Sequence, residues 1–231
     1  MELKIAILEC HPNRADYILQ LIRNVNSSTK AKTFETYNKK FPDNSFDGYI
    51  ITGGMPSLLN KRKYPHLKDL VKITKLLSKN KPMLGICLGH QIIAETFGGK
   101  IKEAEKLEVG FRRITLLKQN DLLRGLPKIF YAFNYHWDFV SRLPENFEKY
   151  AKSDLCKIHS IKHKTKPIYG IQFHPEFNNI VAKGILHSLR DEIIEEEIDF
   201  NKLIKDISLY SQKVSIQIMK NFLKIVQSSI K

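Results

Sequence analysis

Residues 85–91 read GICLGHQ, and the elements on either side of this stretch indicate how the chain folds. The preceding apolar run, KPML at 81–84, is bounded by proline and is typical of a short buried strand. The following run, IIAETF at 92–97, is typical of a helix that stops at the glycine pair 98–99. Cys87 therefore lies where a strand turns sharply into a helix, with a glycine two residues to each side. This is the arrangement of a nucleophile elbow, with cysteine in place of serine.

The chemistry of a thiol suits this position. The N-terminus of a helix carries a partial positive charge, which stabilises a thiolate. Flanking glycines remove Cβ clashes from a strained turn and let a substrate approach the backbone. A buried cysteine that only packs in an α/β core is also common, so the local pattern leaves both interpretations of Cys87 open.

Strands and helices alternate on the N-terminal side of Cys87. The patterns predict strands at 4–10, 31–37, 46–52 and 83–86, and helices at 14–25 and 66–79. The predicted fold class is α/β, an open and mostly parallel sheet with helices on both faces. Functional groups gather at the carboxyl ends of the strands in such a sheet, so Gly53, Gly54 and Cys87 are expected to face one crevice.

After residue 99 the pattern changes to strands joined by turns, which predicts antiparallel strands added to the sheet. These strands are expected at 111–117, 129–139, 147–152, 156–163 and 167–173. His174 and Glu176 follow the last of them. A nucleophilic cysteine needs a base to take its proton and a carboxylate to orient that base, and Cys87, His174 and Glu176 supply one of each. The Gly53–Gly54 backbone and the N–H of Leu88 could donate hydrogen bonds to an oxyanion.

Taken together, these motifs resemble class I (triad-type) glutamine amidotransferases. The resemblance rests on GICLGHQ, on QFHPE at 172–176 and on TGG at 52–54, and it extends through Phe177. Within the family the chain looks most like the amidotransferase subunit of archaeal GMP synthases. That similarity rests on SDLC at 153–156, on HWDFV at 136–140 and on the residues from 163 to 176.

The resemblance implies a flavodoxin-like fold and a role for each motif residue. Cys87 would form a γ-glutamyl thioester, and His174 would protonate the departing ammonia and then activate water. Glu176 would hold His174 in the useful tautomer, and the Gly54 and Leu88 amides would form the oxyanion hole. The residues expected to bind the substrate are Gly53, Gln91, Tyr135 and His136.

The resemblance also implies a function and a partner. The chain would hydrolyse L-glutamine to glutamate and ammonia, and a separate ATP-pyrophosphatase subunit would use the ammonia to convert XMP to GMP in purine biosynthesis. No cofactor is expected in this chain. ATP and magnesium would bind the partner, because the sequence has no Gly-x-x-x-x-Gly-Lys-Ser/Thr loop. A stand-alone γ-glutamyl hydrolase, an amidotransferase for another acceptor and a non-catalytic regulatory module remain open alternatives.

The sequence departs from the GMP synthase pattern in three places. Glu9, Cys10 and His11 stand where an Asp-x-Gly-x-Gln pattern is usual, and Tyr135 stands where a serine is usual. The third departure is a predicted helical insertion at about 178–212, before a final helix at 214–227.

Residues 1–231 are expected to form a single amidotransferase domain that includes this insertion. Within it, amphipathic runs at 180–189 and 203–210 flank the acidic stretch 191–199. These runs are expected to be two helices that pack on the parent domain, or else a lid or partner-docking element.

Composition excludes several other classes of function. The net charge of +14 is spread along the chain without an arginine-rich helix, so no nucleic-acid partner is predicted. No apolar run approaches the ~20 residues that span a bilayer, and the N-terminus does not resemble a signal peptide, so a cytoplasmic protein is expected. No metal site is predicted, since no histidine pair has zinc-type spacing with cysteines. Cys10 and Cys156 are interpreted as buried structural thiols, and Trp137 as a packing residue near the site.

Overall fold

The computed structural model describes residues 2–79 and 81–230, so both end residues of the predicted domain 1–231 lie outside the described part. The strands are β1 (Lys4–Glu9), β2 (Lys30–Glu35), β3 (Gly48–Ile51), β4 (Met83–Ile86), β5 (Lys100–Leu116), β6 (Ile129–Arg142), β7 (Phe147–Lys152), β8 (Ser160–His163) and β9 (Ile168–Ile171). The α-helices are α1 (Ala15–Val25), α2 (His66–Leu77), α3 (Leu88–Thr96), α4 (Asn179–Ser188), α5 (Arg190–Glu195), α6 (Phe200–Lys205) and α7 (Gln212–Ser228).

Within the described residues these strands form one sheet in the order β2-β1-β3-β4-β9-β8-β7-β5-β6. The pairs from β2 to β9 are parallel, and those from β9 to β6 are antiparallel. The predicted fold class, a mostly parallel sheet extended by antiparallel strands, is therefore confirmed. Because β4 and β9 are parallel neighbours, Cys87 and His174 follow adjacent carboxyl ends.

The alternation of side chains along β1 shows how both faces of the sheet are covered. Ile5 and Ile7 point into a core shared with α1 and α7, whereas Ala6 and Leu8 point into a core shared with α2 and α3. All four side chains are fully buried. Successive residues of a strand face opposite sides, so a continuous apolar run is the pattern expected of a strand buried on both faces.

The hairpin of β5 and β6 is longer than the sequence pattern predicts. The predicted strand at 111–117 is the second half of β5, which begins at Lys100 and pairs with β6 over most of its length. The first half, KIKEAEK, is largely exposed and charged, so it lacks the apolar alternation that identifies a strand. Pairing with β6 holds it in place instead, with a register shift between Glu103 and Glu108.

Helices α4 to α6 and the 3-10 turn Asp206–Leu209 form a helical cap over the β5–β6 hairpin. The two amphipathic runs that were expected to be helices correspond to α4 and to α6 with the following 3-10 turn, and part of the acidic stretch between them is a further helix, α5. Ile193 is fully buried in α5, and Asp199 caps α6 by accepting a hydrogen bond from the backbone N–H of Lys202. The acidic residues of this stretch gave no helical pattern in the sequence, because the single buried face of α5 is defined only by its packing in the tertiary structure.

The cap has an apolar core of its own with the hairpin. Leu186, Ile193 and Leu203 from its three helices pack in one cluster with Phe111 and Phe133 of the strands. The final helix, predicted at 214–227, is α7 and packs on the opposite face of the sheet from α2 and α3. None of the helices in the described part of the chain is both long and apolar enough to cross a membrane.

Candidate active site

Cys87 lies at a strained turn between β4 and α3. Its backbone angles φ and ψ are 51° and −105°, a conformation that residues other than glycine rarely adopt. The two glycines of the motif explain how the turn is held. A Cβ on Gly85 would lie 2.3 Å from the carbonyl oxygen of Gly89, and a Cβ on Gly89 would lie 2.3 Å from that of Ile51. Helix α3 therefore starts directly against β3 and β4, which only glycine at both positions allows.

His174 and Glu176 form a buried pair beside this turn. His174 Nδ1 and Glu176 Oε1 are 2.7 Å apart, and the two residues are 6% and 9% exposed. The backbone N–H of His174 donates to the carbonyl of Phe133, and the ring of Phe177 stacks on the imidazole at a centroid distance of 4.5 Å. These contacts fix both the position and the rotation of the imidazole.

The electrostatics of this pair favour the charged imidazole. Burial lowers the pKa of His174, but the neighbouring Glu176 carboxylate and Cys87 thiol together raise it to about 10. With Nδ1 bound to Glu176, Nε2 is the ring nitrogen left for the thiol. The arrangement can therefore store a proton on His174 next to a nucleophilic sulfur.

Two further groups contact the thiol directly. Gln172 Nε2 lies 3.6 Å from Cys87 Sγ, and the carbonyl oxygen of Tyr135 lies 3.9 Å from the same sulfur. Gln91 Nε2 donates to the Oε1 of Gln172 and to the carbonyl of Asp138. The sequence motif QFHPE contains Gln172 without indicating a role for it, because its burial and its contact with the thiol are visible only in the tertiary structure.

The glycines after β3 lie at the same edge of the sheet, as predicted. A Cβ on Gly53 would lie 2.8 Å from His174 Cε1, and a Cβ on Gly54 would lie 3.3 Å from Leu88 Cδ2. Leu88 is the first residue of α3, so its N–H has no acceptor within the helix. Gly54 and Leu88 also line one cavity together with Cys87. A backbone N–H group at such a place can stabilise developing negative charge on an oxygen.

The other predicted binding residues surround a cavity of about 440 Å³, called here the first cavity. Gln91 and His136 line it, as do Cys87 and Tyr135. Trp137, which the sequence suggested as a packing residue, lines it as well. Gly53 lies on the His174 side of the thiol and is not among the lining residues. The predicted residues are therefore brought together, in two groups on either side of Cys87.

The cap contacts two residues that line this cavity through one side chain that the sequence pattern does not reveal. Glu192 accepts hydrogen bonds from the Tyr135 hydroxyl and from Trp137 Nε1, each at 2.9 Å. Nothing local distinguishes Glu192 from the other acids of its stretch, so only the packing of α5 on β6 could have identified it. The unusual Tyr135 and the acidic stretch are thus joined directly by the hydrogen bond between Tyr135 and Glu192.

The unusual end of β1 has a structural explanation. Glu9 Oε1 accepts hydrogen bonds from the backbone N–H groups of Arg14 and Ala15 at 2.9 Å each, so this carboxylate satisfies donors at the start of α1. Cys10 and Cys156 are buried free thiols, as predicted, and burial raises the pKa of each to about 12. Neither thiol is suited to act as a nucleophile.

A second polar cluster lies buried next to the first cavity. The Nε2 atoms of His136 and His159 lie 3.1 and 3.3 Å from Glu108 Oε2. Burial favours the neutral form of Glu108, but bonds to the two histidines hold the pKa of its carboxyl well below the usual range. Burial, together with His159 and His136, lowers the pKa of His90 to about 3. The three ligand atoms lie within 4.8 Å of one another, close enough for a divalent ion. His159 Nε2 is hydrogen-bonded to Glu108 Oε2, whereas His136 Nε2 lies near the same oxygen without a hydrogen-bond geometry.

Comparison with known proteins places this site in a family. A family model described as "Glutamine amidotransferase class-I" matches residues 7–187. The chain is 44% identical to a subunit of the glutamine-hydrolyzing GMP synthase of Methanocaldococcus jannaschii, over 56% of this chain and 64% of that protein. The corresponding subunit from Methanosphaera stadtmanae is 41% identical over 68% and 75% of the two chains.

The chain spans just under two thirds of the first of these relatives. A crystal structure described as "a glutamine amidotransferase" from Thermotoga maritima matches with a TM-score of 0.84 at 21% identity. The match covers 98% of this chain and 99% of that one, so the similarity of fold includes the helical cap. On the family match, which covers most of the sequence and includes Cys87 and His174, the chain belongs to the class-I glutamine amidotransferase family.

Proposed function

We propose that this chain hydrolyses L-glutamine to L-glutamate and ammonia through a thioester on Cys87. The observation that carries the proposal is the buried pair of His174 and Glu176 beside a thiol at a strained turn. Sulfur attack on the γ-carboxamide carbon forms the C–S bond, and His174 gives its proton to the departing nitrogen. A water molecule then loses a proton to His174 and attacks the thioester, which releases glutamate and regenerates the thiol.

Glu176 orients His174 and stabilises its charged form during both steps, because its carboxylate is bonded to Nδ1 at 2.7 Å. The N–H groups of Gly54 and Leu88 stabilise the oxyanion of each tetrahedral intermediate. Gln91 and the β6 backbone at Tyr135 and His136 hold the amino-acid end of glutamine in the first cavity. The other predicted substrate-binding residue, Gly53, acts by letting the imidazole approach the reacting carbon.

We further propose that the ammonia passes to a separate ATP-dependent synthetase, and that this partner converts XMP to GMP. The names of the archaeal relatives, each one subunit of a GMP synthase, support the existence of a second subunit. ATP and magnesium would bind that partner, since the sequence lacks the common phosphate-binding loop. The chain would act as one domain in the cytoplasm, where its free thiols stay reduced. Residues 178–212 would be an insertion in that domain.

The test is glutamate release by the purified chain, alone and with the XMP-activating synthetase of the same organism. We expect slow hydrolysis by the chain alone, stimulation by the synthetase with XMP, ATP and magnesium, and loss of both activities in Cys87→Ser. Equal turnover with and without the synthetase would reject the partnership. Glutamine turnover that survives in Cys87→Ser would reject the mechanism itself.

A further inference from the structure

Two cavities flank the Cys87 thiol, and they differ in chemistry. The first cavity is polar, and its lining includes Gln91 and Asp138. A second cavity of about 230 Å³ lies between the thiol and helix α4 of the cap. The two share Cys87 and Tyr135 in their linings, but of the two only the second is lined by His174.

This difference indicates which cavity holds the acyl chain of the substrate and which holds the leaving group. When the thioester forms, the departing nitrogen must take its proton from His174, so it has to leave toward the second cavity. The acyl chain must then extend to the other side of the sulfur, into the first cavity. The group bonded to the amide nitrogen of a substrate would therefore occupy the second cavity.

The second cavity is larger and less polar than ammonia requires. A molecule as small as water occupies only ~30 Å³ in the liquid, whereas this space measures about 230 Å³. Its wall is formed by apolar side chains from the cap, Ile185 and Leu189, and by the ring of Phe177. Such a lining favours an apolar group.

Charge restricts the class of group further. Besides His174, the charged residue at this cavity is Arg14, which lies near Tyr135. Both are cationic or can become so, and no acidic side chain is among the described residues that line the cavity. A leaving amine that carries a second positive charge would be repelled here, while a neutral alkyl group would not.

We propose that the second cavity is a leaving-group subsite, and that the chain also hydrolyses γ-glutamyl amides of short neutral alkylamines. The inference rests on the proposed function, since the same Cys87 reacts. The C–S bond forms as the C–N bond breaks, and the alkylamine leaves with the proton from His174. Water then cleaves the thioester to glutamate, so the step needs no other reactant.

The experiment compares kcat/KM for L-glutamine, γ-glutamylbutylamide and γ-glutamylputrescine, by glutamate release from the full chain, with Cys87→Ser as the blank. We expect the butylamide to react within about tenfold of glutamine, and the charged putrescine amide at least about tenfold more slowly than the butylamide. Intact-mass detection of the γ-glutamyl adduct on Cys87 gives a second readout of the first step.

A matched pair of variants tests the location. Ser188 is exposed on α4 and lines the cavity, whereas Lys183 is exposed on the same helix and does not. Ser188→Trp should lower the ratio of butylamide to glutamine kcat/KM at least about tenfold by filling the cavity, and Lys183→Trp should leave that ratio within about twofold.

The outcomes separate this inference from the proposed function. Turnover of glutamine without turnover or adduct formation from the butylamide overturns the leaving-group subsite alone. Butylamide turnover that is unaffected by Ser188→Trp shows that the amine leaves elsewhere and also overturns it. If neither substrate acylates Cys87, the proposed function fails together with the inference.

Discussion

The hydroxyl of Tyr135 donates a hydrogen bond to Glu192 Oε2 at 2.9 Å, which ties the helical cap to strand β6 beside the reactive thiol. The second oxygen of the same carboxylate accepts from Trp137 Nε1. His136 lies between these two residues in the sequence of β6, and the Tyr135 carbonyl is 3.9 Å from Cys87 Sγ. One carboxylate on the cap thus fixes the stretch of β6 that lines the first cavity.

Loss of this carboxylate should weaken substrate binding more than it slows chemistry. Glu192→Ala leaves two partly buried donors without an acceptor, at a cost of about 1–3 kcal/mol. We expect KM for glutamine to rise about tenfold with a smaller change in kcat. Glu192→Gln should recover most of the loss, because its amide can accept from Trp137 and donate to the Tyr135 oxygen. Glu195→Ala, exposed on the same helix, is the control. An unchanged KM in Glu192→Ala would show that β6 is fixed without the cap.

The three cysteines should differ sharply in reactivity. A diazoketone analogue of glutamine is expected to label Cys87 at pH 7.5 and to leave Cys10 and Cys156 unmodified. Burial raises the pKa of the latter two thiols to about 12, so almost none of either is thiolate at that pH. Peptide mapping by mass spectrometry identifies the adduct, and Cys87→Ser should give none. Labelling of Cys10 in the folded wild-type chain would contradict this ordering of the thiols.

Stability should fall as the pH rises from about 6.5 to about 10. The folded chain holds a proton on His174 up to a pKa of about 10, whereas an unfolded histidine loses it near 6.5. The stabilisation is therefore complete below about pH 6.5 and is lost as the pH rises through the folded value. Urea unfolding at pH 6 and pH 10 should differ by on the order of 1–3 kcal/mol from this group. Glu176→Gln removes the main stabilising charge, so a pH dependence as steep as that of the wild type in this variant would refute the assignment.

The buried cluster of Glu108, His136 and His159 should behave as a hydrogen-bond network and not as a metal site. Glu108→Ala leaves two buried imidazoles without their shared acceptor, and we expect it to lower the free energy of unfolding by about 2–4 kcal/mol. For the wild-type chain, neither a chelator nor added zinc should shift the melting temperature. A zinc-dependent rise that His159→Ala abolishes would instead establish a metal centre.

The elbow should tolerate no side chain at Gly89. Gly89→Ala places a Cβ 2.3 Å from the carbonyl oxygen of Ile51, and because both groups belong to packed backbone we expect a loss of more than about 3 kcal/mol. Gly184→Ala is the matched control, since Gly184 is an exposed position of helix α4 with no heavy atom within 4 Å of the added Cβ. It should stabilise the chain by about 0.5–1 kcal/mol through its better helix propensity. Thermal or urea unfolding of both variants checks the pair.

The elements nearest the site were predicted well because local sequence determines them. The predicted strand at 83–86 has the same bounds as β4. A short apolar run directly after a proline leaves few alternatives for where the strand can begin and end. The first half of β5 was missed, and the helix α5 within the acidic stretch was not predicted. Both are held by pairing or packing with distant strands, and neither has the hydrophobic period that identifies an element locally.

The sequence by itself determined the alternation of strands and helices up to α3, the strained turn at Cys87 and the supply of one nucleophile, one base and one carboxylate. Those features depend on residues that are near one another in the chain, or on motifs whose residue types suffice. Only the tertiary structure decided what surrounds them: that Glu192 holds Tyr135 and Trp137, and that the thiol lies between a polar and an apolar cavity. These relationships join side chains more than 50 residues apart, whose meeting depends on the packing of the cap against the sheet and not on any local preference.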